Sequence, residues 1–117
     1  MNKTLALLKR GFQSSSGTTP DFLDFVKIFK KEFTKELVSI GATNIQIGRG
    51  HFYVSGFFTV GNKPYYFSLS DVRSYNPNGG HFSDLLYRTA KDYKDYTGGI
   101  NHYVKIESGM CLKMNLK

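Results

Sequence analysis

Three histidines, His51, His81 and His102, are the side chains of this chain best suited to proton transfer near neutral pH. A histidine pair beside a lysine can cleave RNA by general acid–base chemistry, and a histidine cluster can hold a metal. The spacing points to neither, because no two of the three fall at helical or alternate-strand intervals. His51 and His81 each follow a glycine in a presumed loop. Convergence in space is not visible in spacing, so a small histidine nuclease stays open as an alternative. Other nucleophile patterns are missing: there is no Gly-x-Ser-x-Gly. The one cysteine, Cys111, excludes an internal disulfide and a cysteine-rich zinc site. The few carboxylates lie mostly on expected helix exteriors. The expectation is a protein that is not an enzyme and uses no metal or cofactor.

The stretch from Ile47 to Ser68, IGRGHFYVSGFFTVGNKPYYFS, suggests binding instead. Its GRG start resembles a phosphate loop only in composition. No Gly-Lys-Ser/Thr follows, and no helix N-terminus is at hand to hold an anion. Hairpin geometry accounts for Gly48 and Gly50. Alternation along the strands puts His51, Tyr53, Phe57 and Tyr66 on one sheet face, with Arg49 and Lys63 at its ends. Aromatic rings on an open sheet can stack bases while flanking cations hold phosphates. The competing reading is that the chain termini cover this face as a second core, since it would otherwise expose a large apolar patch. A second basic group, Arg88, Lys91 and Lys94, is expected on a later helix.

Composition agrees with an anionic partner. The 117 residues carry a formal net charge of +7, which favours nucleic acid or an acidic protein surface. Ten Phe and eight Tyr without Trp predict a Phe-rich core. No apolar run approaches the ~18 residues that span a bilayer. The N-terminal apolar patch from Leu5 to Leu8 is too short for a signal peptide and precedes Lys9 and Arg10. A cytoplasmic protein without membrane contact is expected.

The elements that must position these residues are legible as patterns. Residues 1–18 read as a flexible arm with a short amphipathic piece, ending in SSSGTT. Thr19 can cap a helix that begins at Pro20 and Asp21. Phe22, Val26, Phe29, Phe33, Leu37 and Ile40 form its apolar stripe, Lys27, Lys31 and Lys35 its opposite face, and Gly41 its end. Three alternating strands follow: NIQI, HFYVSGFFTV and PYYFSLS. Gly61-Asn62 marks the turn between the last two, and Pro64 suits an edge strand. After a loop at RSYNPNGGH, Ser83 caps a second helix. Phe82, Leu85, Leu86, Thr89, Tyr93 and Tyr96 face inward on it, with Asp84–Arg88 and Lys91–Asp95 as i,i+4 pairs. HYVKI offers a short fourth strand, and residues 108–117 a weakly patterned tail.

The expected fold class is α+β: a long helix, a three-stranded antiparallel meander and a second helix on the same sheet face, within one domain spanning 19–107. Its order resembles that of double-stranded RNA-binding domains. The basic cluster at the start of the last helix and the minor-groove loop motif of those domains are missing, so no residue roles transfer. The segments GHFYVSGFFTVGNKPYYFSLSDVR and LLYRTAKDYKDYTGG resemble small accessory proteins of bacterial phages and mobile elements. That resemblance implies an accessory role and brings no catalytic residues. Two functions follow. One is a small basic nucleic-acid-binding or nucleoprotein-binding accessory protein. The alternative is a protein-binding inhibitor, anti-CRISPR-like or anti-restriction, that docks on a host nucleoprotein.

Overall fold

The computed structural model describes residues 1–11, 20–50, 52–76, 84–91 and 99–116. Two helices, α1 (Asn2–Arg10) and α2 (Pro20–Ser39), precede five strands. These are β1 (Thr43–Arg49), β2 (Val54–Val60), β3 (Lys63–Leu69), β4 (Asp84–Thr89) and β5 (His102–Lys105). They pair antiparallel in the order β1-β2-β3-β4-β5. Short 3₁₀ segments follow β3 (Val72–Ser74) and β5 (Met110–Lys113). The class is α+β.

Helix α2 is the centre of the core. Phe22, Phe25, Phe29, Phe33 and Leu37 recur every three or four residues and are all fully buried. Successive rings stand 6.2, 5.9 and 5.1 Å apart, and Phe33 meets Phe67 of β3 edge-on at 4.9 Å. The helix stops where Gly41 turns left-handed at φ 83° and the Ala42 N–H donates to the Leu37 carbonyl at 3.0 Å. The sheet answers with Val54, Phe58, Tyr65, Phe67 and Leu69, the alternating apolar set of β2 and β3.

Several expectations are corrected. Residues 84–89 are strand β4 rather than a second helix. Leu85 and Tyr87 point into the core and Arg88 to the other sheet face. A short apolar run fits both periods, and pairing with the open edge of β3 decides for strand. Asp84 and Arg88 are therefore about 13 Å apart along a strand instead of one helical turn. Thr19, Phe82, Ser83, Tyr93, Asp95 and Tyr96 lie outside the described residues. With β4 and β5 present the meander has five strands, and β3 is interior. Pro64 is accommodated near the start of β3, where its carbonyl accepts the Ala90 N–H at 2.9 Å. No helix among the described residues is long and apolar enough to cross a membrane.

The two ends of the chain also pack. In the expected arm, α1 lies on α2 with Thr4 and Leu8 buried. In the expected tail, Met110, Cys111 and Met114 join the core. Two carboxylates one turn apart on α2 hold them. Glu32 accepts from the Thr4 hydroxyl at 2.6 Å, the Thr4 N–H at 2.8 Å and the Lys3 N–H at 3.4 Å, capping the first turn of α1. Glu36 accepts from Gly109 N–H at 3.0 Å and Cys111 N–H at 3.3 Å, capping the second 3₁₀ segment. The Met1 ammonium sits 3.7 Å from Glu32 and 3.9 Å from Glu36. Burial pushes the pKa of Glu32 up. The Thr4 hydrogen bonds, the Met1 ammonium and the Lys3 N–H outweigh it, so the net shift is downward.

Two outcomes follow from this packing. Phe33→Ala should cost about 3–5 kcal/mol, read from denaturant melts, because it empties the contact between α2 and β3. A lowered carboxyl pKa stabilises the fold above the unfolded value, about 4.3, and that contribution is lost as pH falls through the folded value. Glu32→Gln should therefore be less stable than wild type at pH 7, with the gap closing below about pH 4. A pH-independent gap would contradict the capping role.

Candidate nucleic-acid interface

The sheet face turned away from α2 is built in cross-strand rows. One row runs Gln46, Phe57, Tyr66, Arg88. It is bulky and closed. Phe57 and Arg88 are 5% and 4% exposed, the Phe57 and Tyr66 rings lie 5.4 Å apart, and the Arg88 guanidinium sits 4.5 Å over the Tyr66 ring. The next row runs Gly48, Ser55, Ser68, Leu86, Tyr103. At its β1–β2 end it has almost no side chain. Beyond it stands Tyr53, 44% exposed, whose ring occupies the space a Cβ on Gly50 would need.

These rows leave a groove of about 570 Å³ whose lining includes Gln46, Gly48, Arg49, Tyr53, Ser55 and Phe57. The volume falls within the range of small-ligand sites. Its floor is bare backbone at Gly48, and a Cβ there would meet only the Ser55 carbonyl, at 3.9 Å. Gly56 has the opposite need. Its Cβ would lie 1.8 Å from the Gln46 carbonyl oxygen, because an irregularity between Thr43 and Gln46 brings β1 over it. Neither Gly48 nor Gly50 has a positive φ. Gly50 does lie in the β1–β2 connection, where its N–H donates to the Tyr53 carbonyl at 3.0 Å, whereas Gly48 lies within β1 and leaves an open floor.

The segment that carries Tyr53 is fixed by a strained neighbour. Phe52 has φ 60°, rare for a bulky residue. Its buried ring is held between Phe22, 5.1 Å away, and the Arg73 guanidinium, 4.3 Å above it. Arg73 makes two 2.9 Å bonds to Asp71, and the Val72 N–H donates to the Phe52 carbonyl at 2.8 Å. Phe52 is thereby drawn inward and Tyr53 outward.

The expected site residues separate into three groups. Arg49, Tyr53 and Phe57 all line the groove, with Tyr66 behind Phe57; Arg49 lies at its rim, since it pairs with core-facing Val54 and alternates with Gly48 of the floor. Lys63 and Lys91, both exposed, stand at the other end of the sheet, where Ala90 bonds Pro64. Lys63 is about 20 Å along β2 from Arg49. Arg88 is not on a helix surface at all, and this overturns the expected basic helix of Arg88, Lys91 and Lys94. His51, His81 and Lys94 lie outside the described residues. His102 is half-buried on β5, its ring 5.5 Å from that of Tyr87. Neither described terminus covers this face, since both pack about α2. Sequence reading missed Gln46 and Ser55, and the alternation of NIQI placed Gln46 on this face in principle.

Among the described residues no three His, Cys, Asp or Glu side chains gather as a metal site. Burial, with Glu36 nearby, pushes the Cys111 thiol up to about 12, so it is protonated at neutral pH. No protein-family model, curated protein or solved structure matches this chain. The chemistry of the groove therefore rests on its own residues: one exposed ring, one guanidinium, an amide, a hydroxyl and a flat floor.

The two glycines give a paired test. Gly48→Ala should raise stability by about 0.5–1 kcal/mol, since the strand gains a Cβ in open space. Gly56→Ala should lower it by about 3 kcal/mol, because backbone must move. Equal effects in thermal melts would contradict the two environments.

Proposed function

We propose that this chain is a small, non-enzymatic nucleic-acid-binding accessory protein that holds a single-stranded segment against the outer sheet face. The observation that carries this reading is the groove in which Arg49, Tyr53 and Phe57 surround the bare backbone of Gly48. A base laid on that floor meets the Tyr53 ring for stacking, and Arg49, at the rim of the groove at the end of β1, is placed to reach its phosphate from the edge. Gln46 and Ser55 offer hydrogen-bonding groups to a base edge. The net charge of +7 adds a long-range attraction for the polyanion.

Fluorescence anisotropy with a labelled single-stranded oligonucleotide at several salt concentrations tests the reading. Tyr53→Ala should weaken binding by roughly 1–3 kcal/mol per stacked base with little change in salt slope. Arg49→Gln should flatten the slope of log K against log salt by about 0.7, the value for one phosphate on a single strand. Gly48→Val fills the floor and should abolish the groove contribution while leaving the melt intact. A wild-type protein with no affinity at low salt would defeat the proposal and turn the positive charge toward an acidic protein partner.

A further inference from the structure

At the outer surface of α2 lysines outnumber acids: four exposed lysines follow one exposed acid, Asp24, which stands one turn before Lys27. The two acidic side chains of α2 on the α1 side, Glu32 and Glu36, are occupied by backbone N–H groups of α1 and of the C-terminal 3₁₀ segment. Lys27, Lys31 and Lys35 recur every four residues, about 6 Å apart along the axis, and all are exposed. Lys30 is exposed as well, and Lys3 of α1 faces the row across a groove of about 340 Å³ whose lining also holds Ile28 and Glu32, the latter engaged by Thr4. Among the described residues none of Lys27, Lys30, Lys31 and Lys35 makes an ion pair. A solvated helix surface usually alternates signs at this spacing, whereas like charges four residues apart destabilise a helix. A polyanion laid along the row removes that repulsion.

The same surface lacks exposed rings. All four phenylalanines of α2 are fully buried toward the sheet. It can therefore neutralise phosphates and has nothing on which to stack a base. A rigid helix with evenly spaced cations suits a rigid, regularly charged backbone, and a duplex carries one charge per ~1.7 Å of axis. The row also points away from the sheet, on the opposite layer from the Gly48 groove.

We propose that the lysine row of α2, with Lys3, is a second binding surface that takes the phosphate backbone of a duplex, so that one molecule joins a duplex to a single strand. The proposal rests on the nucleic-acid reading of the groove and adds a separate surface to it.

The test uses the full chain, a biotinylated mixed-sequence duplex and a fluorescent oligo-dT. Wild type should bind each and should carry oligo-dT onto the immobilised duplex. The triple variant Lys27→Glu, Lys31→Glu, Lys35→Glu should lose the bridging and keep its oligo-dT affinity. Its duplex salt slope should flatten by roughly 2–3, since each lost phosphate contact removes about 0.9. The corresponding triple Gln variant, which removes charge without reversing it, should move the same way and guards against a folding defect, checked by thermal melts. Unchanged duplex binding in both variants overturns the inference and leaves the groove reading standing. So does wild type that binds oligo-dT and ignores duplex. Loss of oligo-dT binding together with duplex binding also overturns it, because the two surfaces would then be one. Wild type silent toward both probes overturns the inference and the groove reading together.

Discussion

Two glutamates one turn apart on α2 tie the whole chain to one helix. Glu32 supplies the cap that α1 lacks in its own sequence, since Met1 offers no capping side chain. Glu36 does the same for the segment after β5. Orphan N–H groups at helix starts need acceptors, and a carboxylate aligned with the helix dipole is a strong one. By serving the termini, these two acids are turned away from open solvent. The lysines of the same helix then dominate the charge of its outer surface, with Asp24 as the exposed acid among them. One local choice of partners thus sets both the closure of the fold and the sign of its exposed charge.

The other organising feature is the ladder of rings beneath α2. Phe22 through Phe33 give the helix a continuous aromatic edge, and Phe67 and Phe52 meet it from the sheet side. Rings at these spacings add geometric preference to simple burial. The cost appears at Phe52, which reaches the ladder only in a left-handed conformation. Its carbonyl and ring are both held, by Val72 and Arg73, and that restraint fixes the direction of Tyr53. A core contact therefore orients a surface ring on the opposite face of the sheet.

That outer face is neither fully open nor fully closed. Arg88, which lies over Tyr66, and Phe57 are almost entirely buried, so the row they form contributes walls rather than a platform. Bare backbone is found at the β1–β2 end, at Gly48 and Ser55, while at the β5 end of the same row Tyr103 is 44% exposed. Any ligand of this face meets a short groove, with Arg49 of β1 beside the start of β2 and Lys63 of β3 beside its far end. Of the described rings that alternation assigns to this face, Tyr53 is exposed beside the groove, Tyr66 is half-buried and Phe57 is buried.

The amino-acid sequence by itself determined α2, most of its buried stripe and its end at Gly41, because apolar residues at period 3.6 from Phe22 to Ile40 have one reading; Phe25, fully buried, lay outside that expected stripe, and Val26 is only half-buried. It determined the β2–β3 hairpin through Gly61-Asn62 and strict alternation, and it placed Tyr53 and Phe57 on the face away from the helix. Tertiary structure decided the rest. Residues 84–89 satisfy a helical and a strand pattern equally, and the unpaired edge of β3 selected strand. The first ten residues carry too little apolar surface to fix their own position, and Glu32, distant in sequence, supplied the anchor. Gly48 and Gly56 look alike in the chain, yet one floors a groove and the other yields to a carbonyl. That difference arises from how far β1 leans over β2, a distance between strands that no pattern along a single strand can encode.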